Sequence, residues 1–99
     1  MTGNWVLPNV GTPGTIQNTI LGGNGYLSPQ KVSNSSIEAG STVEGVALDV
    51  NDTLQQWERS AHDESGYFTL KNLESGKFLT GHNPPNTLTI EGMYNVYSI

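Results

Sequence analysis

Apolar and polar residues alternate with a period of two along much of the second half of the chain. In "GYFTLKN", Phe68 and Leu70 fall on one face and Tyr67, Thr69 and Lys71 on the other. That is the pattern of a half-buried strand, with Gly66 and Asn72 as flanking turn residues. "SGKFLTG" is its return strand, because "NLESG" sets a Gly-containing loop between the two apolar runs. "NTLTIEG" alternates through Leu88 and Ile90, and "TVEGVALDV" through Val46, Leu48 and Val50, which predicts two more strands. One window has a different period. In "NDTLQQWERSAHDE" the residues Leu54, Trp57 and Ala61 fit a helical stripe of about three turns, with Asn51 or Asp52 as its cap.

An internal repeat decides that window in favour of strands. "TIQN" at Thr15 recurs as "TLKN" at Thr69, each followed by a Gly-containing loop and then an aromatic-Leu-hydroxyl triplet, "YLS" at Tyr26 and "FLT" at Phe78. "NSSIEAG" from Asn34 recurs as "NTLTIEG" from Asn86, which makes Glu38 and Glu91 equivalent. Three markers in the same order define two units, about 14–60 and about 66–99, inside a single domain spanning 1–99.

The 99-residue length leaves no room for a second domain. A hydrophobic fraction of 34% with abundant Gly, Asn, Ser and Thr favours short strands and polar turns. A net charge of -5 with four Lys and Arg provides no basic stripe for a nucleic acid. Without cysteine there is no disulfide framework and no Cys-based metal or redox site. No apolar run is long enough to span a bilayer. The beginning of the sequence lacks the pattern of a signal peptide, so the expected location is cytoplasmic, with secretion by a non-signal route left open.

Gln55-Gln56-Trp57 followed by "GYFTLKN" and "SGKFL" resembles the ricin-B-type β-trefoil, whose repeats end in a Gln-x-Trp strand and open with a strand and an "N-x-x-S-G-K-x-L" hairpin. The resemblance covers about 14–92. It implies an all-β, trefoil-related fold, with Trp57 in the core and the Gln55 side chain bonded to backbone. "NWVLPN" and Asn95-Val96-Tyr97 are degenerate closing strands on this reading, and Pro13 replaces an aromatic of the opening strand. A trefoil has three repeats and this chain shows two, so the fold is expected to be incomplete or completed by oligomerisation. Phe68, Leu70, Phe78, Leu79, Leu88 and Ile90 would then form an exposed patch, with the C-terminal "MYNVYSI" in a homo-oligomer interface.

The resemblance implies a sugar site built on an Asp after the hairpin Leu, a stacking aromatic, and an Asn beside the Gln of Gln-x-Trp. The matching positions here hold Ser28 and Thr80, and Leu54, so the family's own sugar chemistry is largely missing. Candidate ligand contacts are Gln55, Thr80, His82, Asn83, Tyr94 and Tyr97. "AHDESG", with His62, Asp63 and Glu64, is an exposed loop between units and no acid-base centre. The two histidines, without cysteine, give no recognisable zinc spacing, and "GGNG" is a turn because no helix or Lys-Ser/Thr follows it. No metal, cofactor or catalytic residue is expected. The expected function is non-enzymatic carbohydrate binding, with a glycan or glycoprotein as partner. The alternatives are a peptidase inhibitor acting through the proline-stiffened loop "GHNPPNT", and a structural or interaction module without a sugar site.

Overall fold

The computed structural model describes residues 5–30, 39–82, 87–91 and 97–98, and for His82, Thr87, Tyr97 and Ser98 it describes the backbone. The protein is all-β. Among the described residues ten strands follow in chain order: β1 (Trp5–Val6), β2 (Gln17–Asn18), β3 (Tyr26–Pro29), β4 (Ser41–Val46), β5 (Trp57–Arg59), β6 (Tyr67–Phe68), β7 (Leu70–Asn72), β8 (Phe78–His82), β9 (Thr87–Glu91) and β10 (Tyr97–Ser98). Eight of them form one curled antiparallel sheet in the order β1-β2-β3-β4-β9-β8-β7-β5, and β10 pairs with β6 separately. Among the described residues no helix is long and apolar enough to cross a membrane.

Two of the hairpins share a strand register. Trp5 pairs with Asn18 as Trp57 pairs with Asn72, and Gln17 pairs with Tyr26 as Lys71 pairs with Phe78. In both hairpins the Asn N–H bonds to the carbonyl just before the aromatic, Asn18 to Gly25 and Asn72 to Lys77, each at 2.8 Å. A six-residue 3-10 segment, Thr19–Asn24, kinked at Gly22 (φ 62°), makes the first hairpin loop the longer of the two. The third pair of markers does not hold. Tyr26 faces Val46 where Phe78 faces Glu91, so the register counterpart of Glu91 is Val46, whereas Glu38 lies outside the described residues. The two units meet through β4 and β9, antiparallel, with Ser41 opposite Ile90 and Thr42 opposite Thr89.

The curl brings the stretch before β2 against β5. Gly14 N–H donates to the Trp57 carbonyl at 3.0 Å and Trp57 N–H to the Gly14 carbonyl at 2.7 Å, while Val10 bridges Arg59. The outer edge of β5 is thereby covered, which removes an unpaired strand edge. Inside lie Ile16, Leu27, Val43, Trp57, Phe68, Leu70, Leu79 and Ile90, with Trp5, Leu7 and Leu88 packed against them. The expected exposed patch is therefore corrected. Four of its six residues are core, Phe68, Leu70, Leu79 and Ile90, while Phe78 and Leu88 are half-buried. That patch therefore gives no ground for a homo-oligomer, because the chain covers most of it with its own strands. Part of "MYNVYSI" is likewise paired within the chain, Tyr97 with Phe68 and Ser98 with Tyr67.

Two local expectations also change. The strand in "TVEGVALDV" ends at Val46, so Val43 is buried while Leu48 and Val50 are exposed. The cause is the register, since β3 begins at Tyr26 opposite Val46 and the chain then turns at Asp49, whose carbonyl accepts from Asp52 N–H at 3.0 Å. The helical window holds one 3-10 turn, Thr53–Gln55, capped by the Asp52 side chain on Leu54 N–H at 3.0 Å. It stops there because the backbone of Trp57 is bonded as a strand on both edges.

Gly25 shows how tightly the first hairpin closes. A Cβ there would lie 2.1 Å from the Asn18 carbonyl oxygen and 3.2 Å from Leu21 Cβ. Gly25→Ala is expected to destabilise the fold by about 1–3 kcal/mol through overpacking. Gly81→Ala, whose Cβ would meet only Leu88 Cδ2 at 3.9 Å, should stay within about 0.5 kcal/mol. Urea unfolding of the two variants checks the contrast.

Candidate functional site

In an antiparallel ladder, opposed residues place their side chains on the same face. Leu79 and Ile90 are opposed and buried, which assigns their alternate neighbours to the outer face of the β8–β9 pair. One outer row runs Glu58, Lys71, Phe78, Glu91 across β5, β7, β8 and β9. The next runs Thr80, Thr89, Thr42 across β8, β9 and β4. Phe78, Thr80, Thr89 and Glu91 are half-buried, and Glu58, Lys71 and Thr42 are exposed. Thr89 Oγ1 donates to Glu91 Oε2 at 2.7 Å, and Thr80 Oγ1 donates to the Phe78 carbonyl at 3.2 Å. The face thus combines an aromatic ring, two carboxylates, an ammonium and several hydroxyls.

Of the sequence candidates, Thr80 lies on this face. The backbone of His82 continues the same strand, opposite Thr87. Gln55 is elsewhere and is 3% exposed. Its Nε2 donates to the Ala47 carbonyl at 3.1 Å and its Oε1 accepts from Asp49 N–H at 2.9 Å. The expected backbone bonding of Gln55 is present, and the ligand-contact role is corrected, because a buried amide tied at both ends closes the 47–55 loop and has no open face for a sugar. Tyr97 lies in the separate β10–β6 pair. Asn83 and Tyr94, with most of the proline loop, lie outside the described residues. Sequence reasoning missed Phe78, Lys71 and Glu91 as site residues. The signal available for Phe78 is that period-two alternation within "KFLT" puts it on the face opposite to Leu79; Glu91 joins it only through the register of β8 with β9.

In the "AHDESG" segment residues 61–65 are exposed, as expected, and Gly66 is half-buried. Asp63 Oδ1 accepts from Ser65 N–H at 2.8 Å and Tyr67 N–H at 3.0 Å, so this carboxylate shapes a turn. Among the described residues there is no group of three or more His, Asp or Glu side chains arranged to hold a metal ion. No protein-family model, curated protein or solved structure matches this chain.

Proposed function

We propose that the chain is a non-enzymatic carbohydrate-binding module, on a ricin-B-like, trefoil-related frame, which holds its sugar on the outer face of β8 and β9. The observation that carries this reading is the row that sets Phe78 beside Glu91, with Thr80 and Thr89 in the row next to it. An aromatic ring offers a platform for the apolar face of a pyranose, and a carboxylate accepts strong hydrogen bonds from sugar hydroxyls. The residue after the hairpin Leu is Thr80 in place of the Asp of ricin-type lectins, and Glu91 brings a carboxylate to the same strand pair from across the ladder. The two closing tryptophans in equivalent register support the lectin-like frame.

A glycan array with the purified protein tests the reading. Binding to at least one glycan class is expected, reduced tenfold or more in both Phe78→Ala and Glu91→Gln, with circular dichroism unchanged. A chelator should leave binding intact, because calcium prefers about six to eight oxygen ligands. An array with no signal above background, or variants that bind like the wild type, would refute the proposal.

A further inference from the structure

Arg59 occupies a position where a charge is unexpected. It pairs with Leu70 across β5 and β7, and so shares the inner face with Leu70, Trp57 and Phe68, all at most 2% exposed. Its neighbour Glu58 is on the outer face with Lys71. The guanidinium carbon stands over the Phe68 ring, 4.4 Å from its centroid, a cation–π contact that helps to hold the side chain in place. Arg59 Nε is buried with no hydrogen-bond partner, the single such side-chain atom among the described residues. The Nη nitrogens have no partner among those residues either, yet they are not enclosed. No carboxylate among the described residues pairs with this cation.

We infer that Arg59 is an anion-binding residue, and that its Nη edge takes the carboxylate of a small organic acid at this end of the sheet. A cation with one donor already stripped of water is under-solvated, and a counter-ion at its open end restores what burial removed. A guanidinium held over an aromatic ring keeps its planar fork of donors, which suits a two-oxygen acceptor. A net charge of -5 disfavours polyanions and leaves a single carboxylate as the suited class. The site lies on the opposite side of the sheet from the row of Phe78 and Glu91, and does not depend on it.

The test is a titration of the whole chain with acetate against chloride at equal ionic strength, followed by the Phe68 ring resonances and the thermal midpoint. Acetate should shift the Phe68 signals saturably and raise the midpoint, as a ligand of the native state does, and chloride should do neither. Arg59→Met should weaken acetate binding at least tenfold, and Arg59→Lys at least threefold because the fork is lost, while Phe78→Ala leaves it unchanged. Glucuronate binding several-fold tighter than acetate, with no response to glucose, would identify the carboxylate as that of an acidic sugar. Equal affinity for the two would identify it as that of small acids in general. Identical wild-type responses to acetate and chloride, or an Arg59→Met protein that still titrates like the wild type, would overturn the inference. The wild-type titration decides the matter even if a variant fails to fold.

Discussion

Trp57→Ala is expected to remove about 3–5 kcal/mol of stability, a large share of the roughly 5–15 kcal/mol available to a domain of this kind. Three roles meet in this residue. Its side chain is fully buried in the core, its backbone is bonded to β7 and to Gly14, and its indole Nε1 donates to the Leu27 carbonyl at 3.1 Å. That last bond ties the closing strand of one unit to the hairpin strand of the same unit, thirty residues away. Trp57→Phe separates the terms, because it keeps most of the apolar contact but leaves the Leu27 carbonyl unsatisfied, for about 1–3 kcal/mol. Urea unfolding followed by circular dichroism measures both. A Trp57→Ala protein as stable as the wild type would mean that the core does not depend on the repeat's closing aromatic.

The second large effect falls on Asn72. This side chain is fully buried, donates through Nδ2 to the Leu54 carbonyl at 2.8 Å and accepts through Oδ1 from Ser75 N–H at 3.0 Å. It therefore joins the β7–β8 turn to the short 3-10 segment before Trp57. Asn72→Ala leaves a buried carbonyl and a turn N–H without partners, and the expected loss is about 2–4 kcal/mol. Its repeat counterpart Asn18 is half-buried and makes one local bond, from Ile20 N–H to Oδ1 at 3.1 Å. Asn18→Ala should cost only about 0.5–1 kcal/mol, the scale of a lost cap. Comparison of the two thermal unfolding curves measures how far equivalent sequence positions have diverged in energy, and equal losses would contradict the difference in burial.

The sequence shows most of the second unit and less of the first. Phe68, Leu70, Leu79 and Ile90 are found where period-two alternation puts them, because each faces a well-filled core and a one-residue slip would expose all of them. β4 was harder to place. Its apolar positions are diluted by Thr42, Glu44 and Gly45, so the stronger alternation of Val46, Leu48 and Val50 pointed beyond the true end of the strand. The word match between "NSSIEAG" and "NTLTIEG" failed for a related reason, since pairing follows hairpin geometry and not local composition. At the candidate site Thr80 was legible through the likeness to lectin repeats. Glu91 and Lys71 were not, because their place beside Phe78 exists only once β7, β8 and β9 are in register. Arg59 carries no sequence signal at all, since an arginine two residues after a tryptophan reads as an ordinary surface charge until the ladder turns it inward.

The bridge between Gly14 and Trp57 also bears on how the chain acquires its structure. β5 closes the first unit through Gly14 and pairs on its other edge with β7 of the second, so both units depend on it. During synthesis the first unit would wait for β5 to emerge, and the central β4–β9 seam forms only after residue 90 has been made. Such distant pairings bring a large loop-closure entropy before any contact rewards it, and this places folding on the millisecond-to-second scale of non-local β proteins. Solenoid repeats can add one module at a time. Here the shared strand makes folding a single cooperative event, with little gain in stability for a chain that has made only its first half.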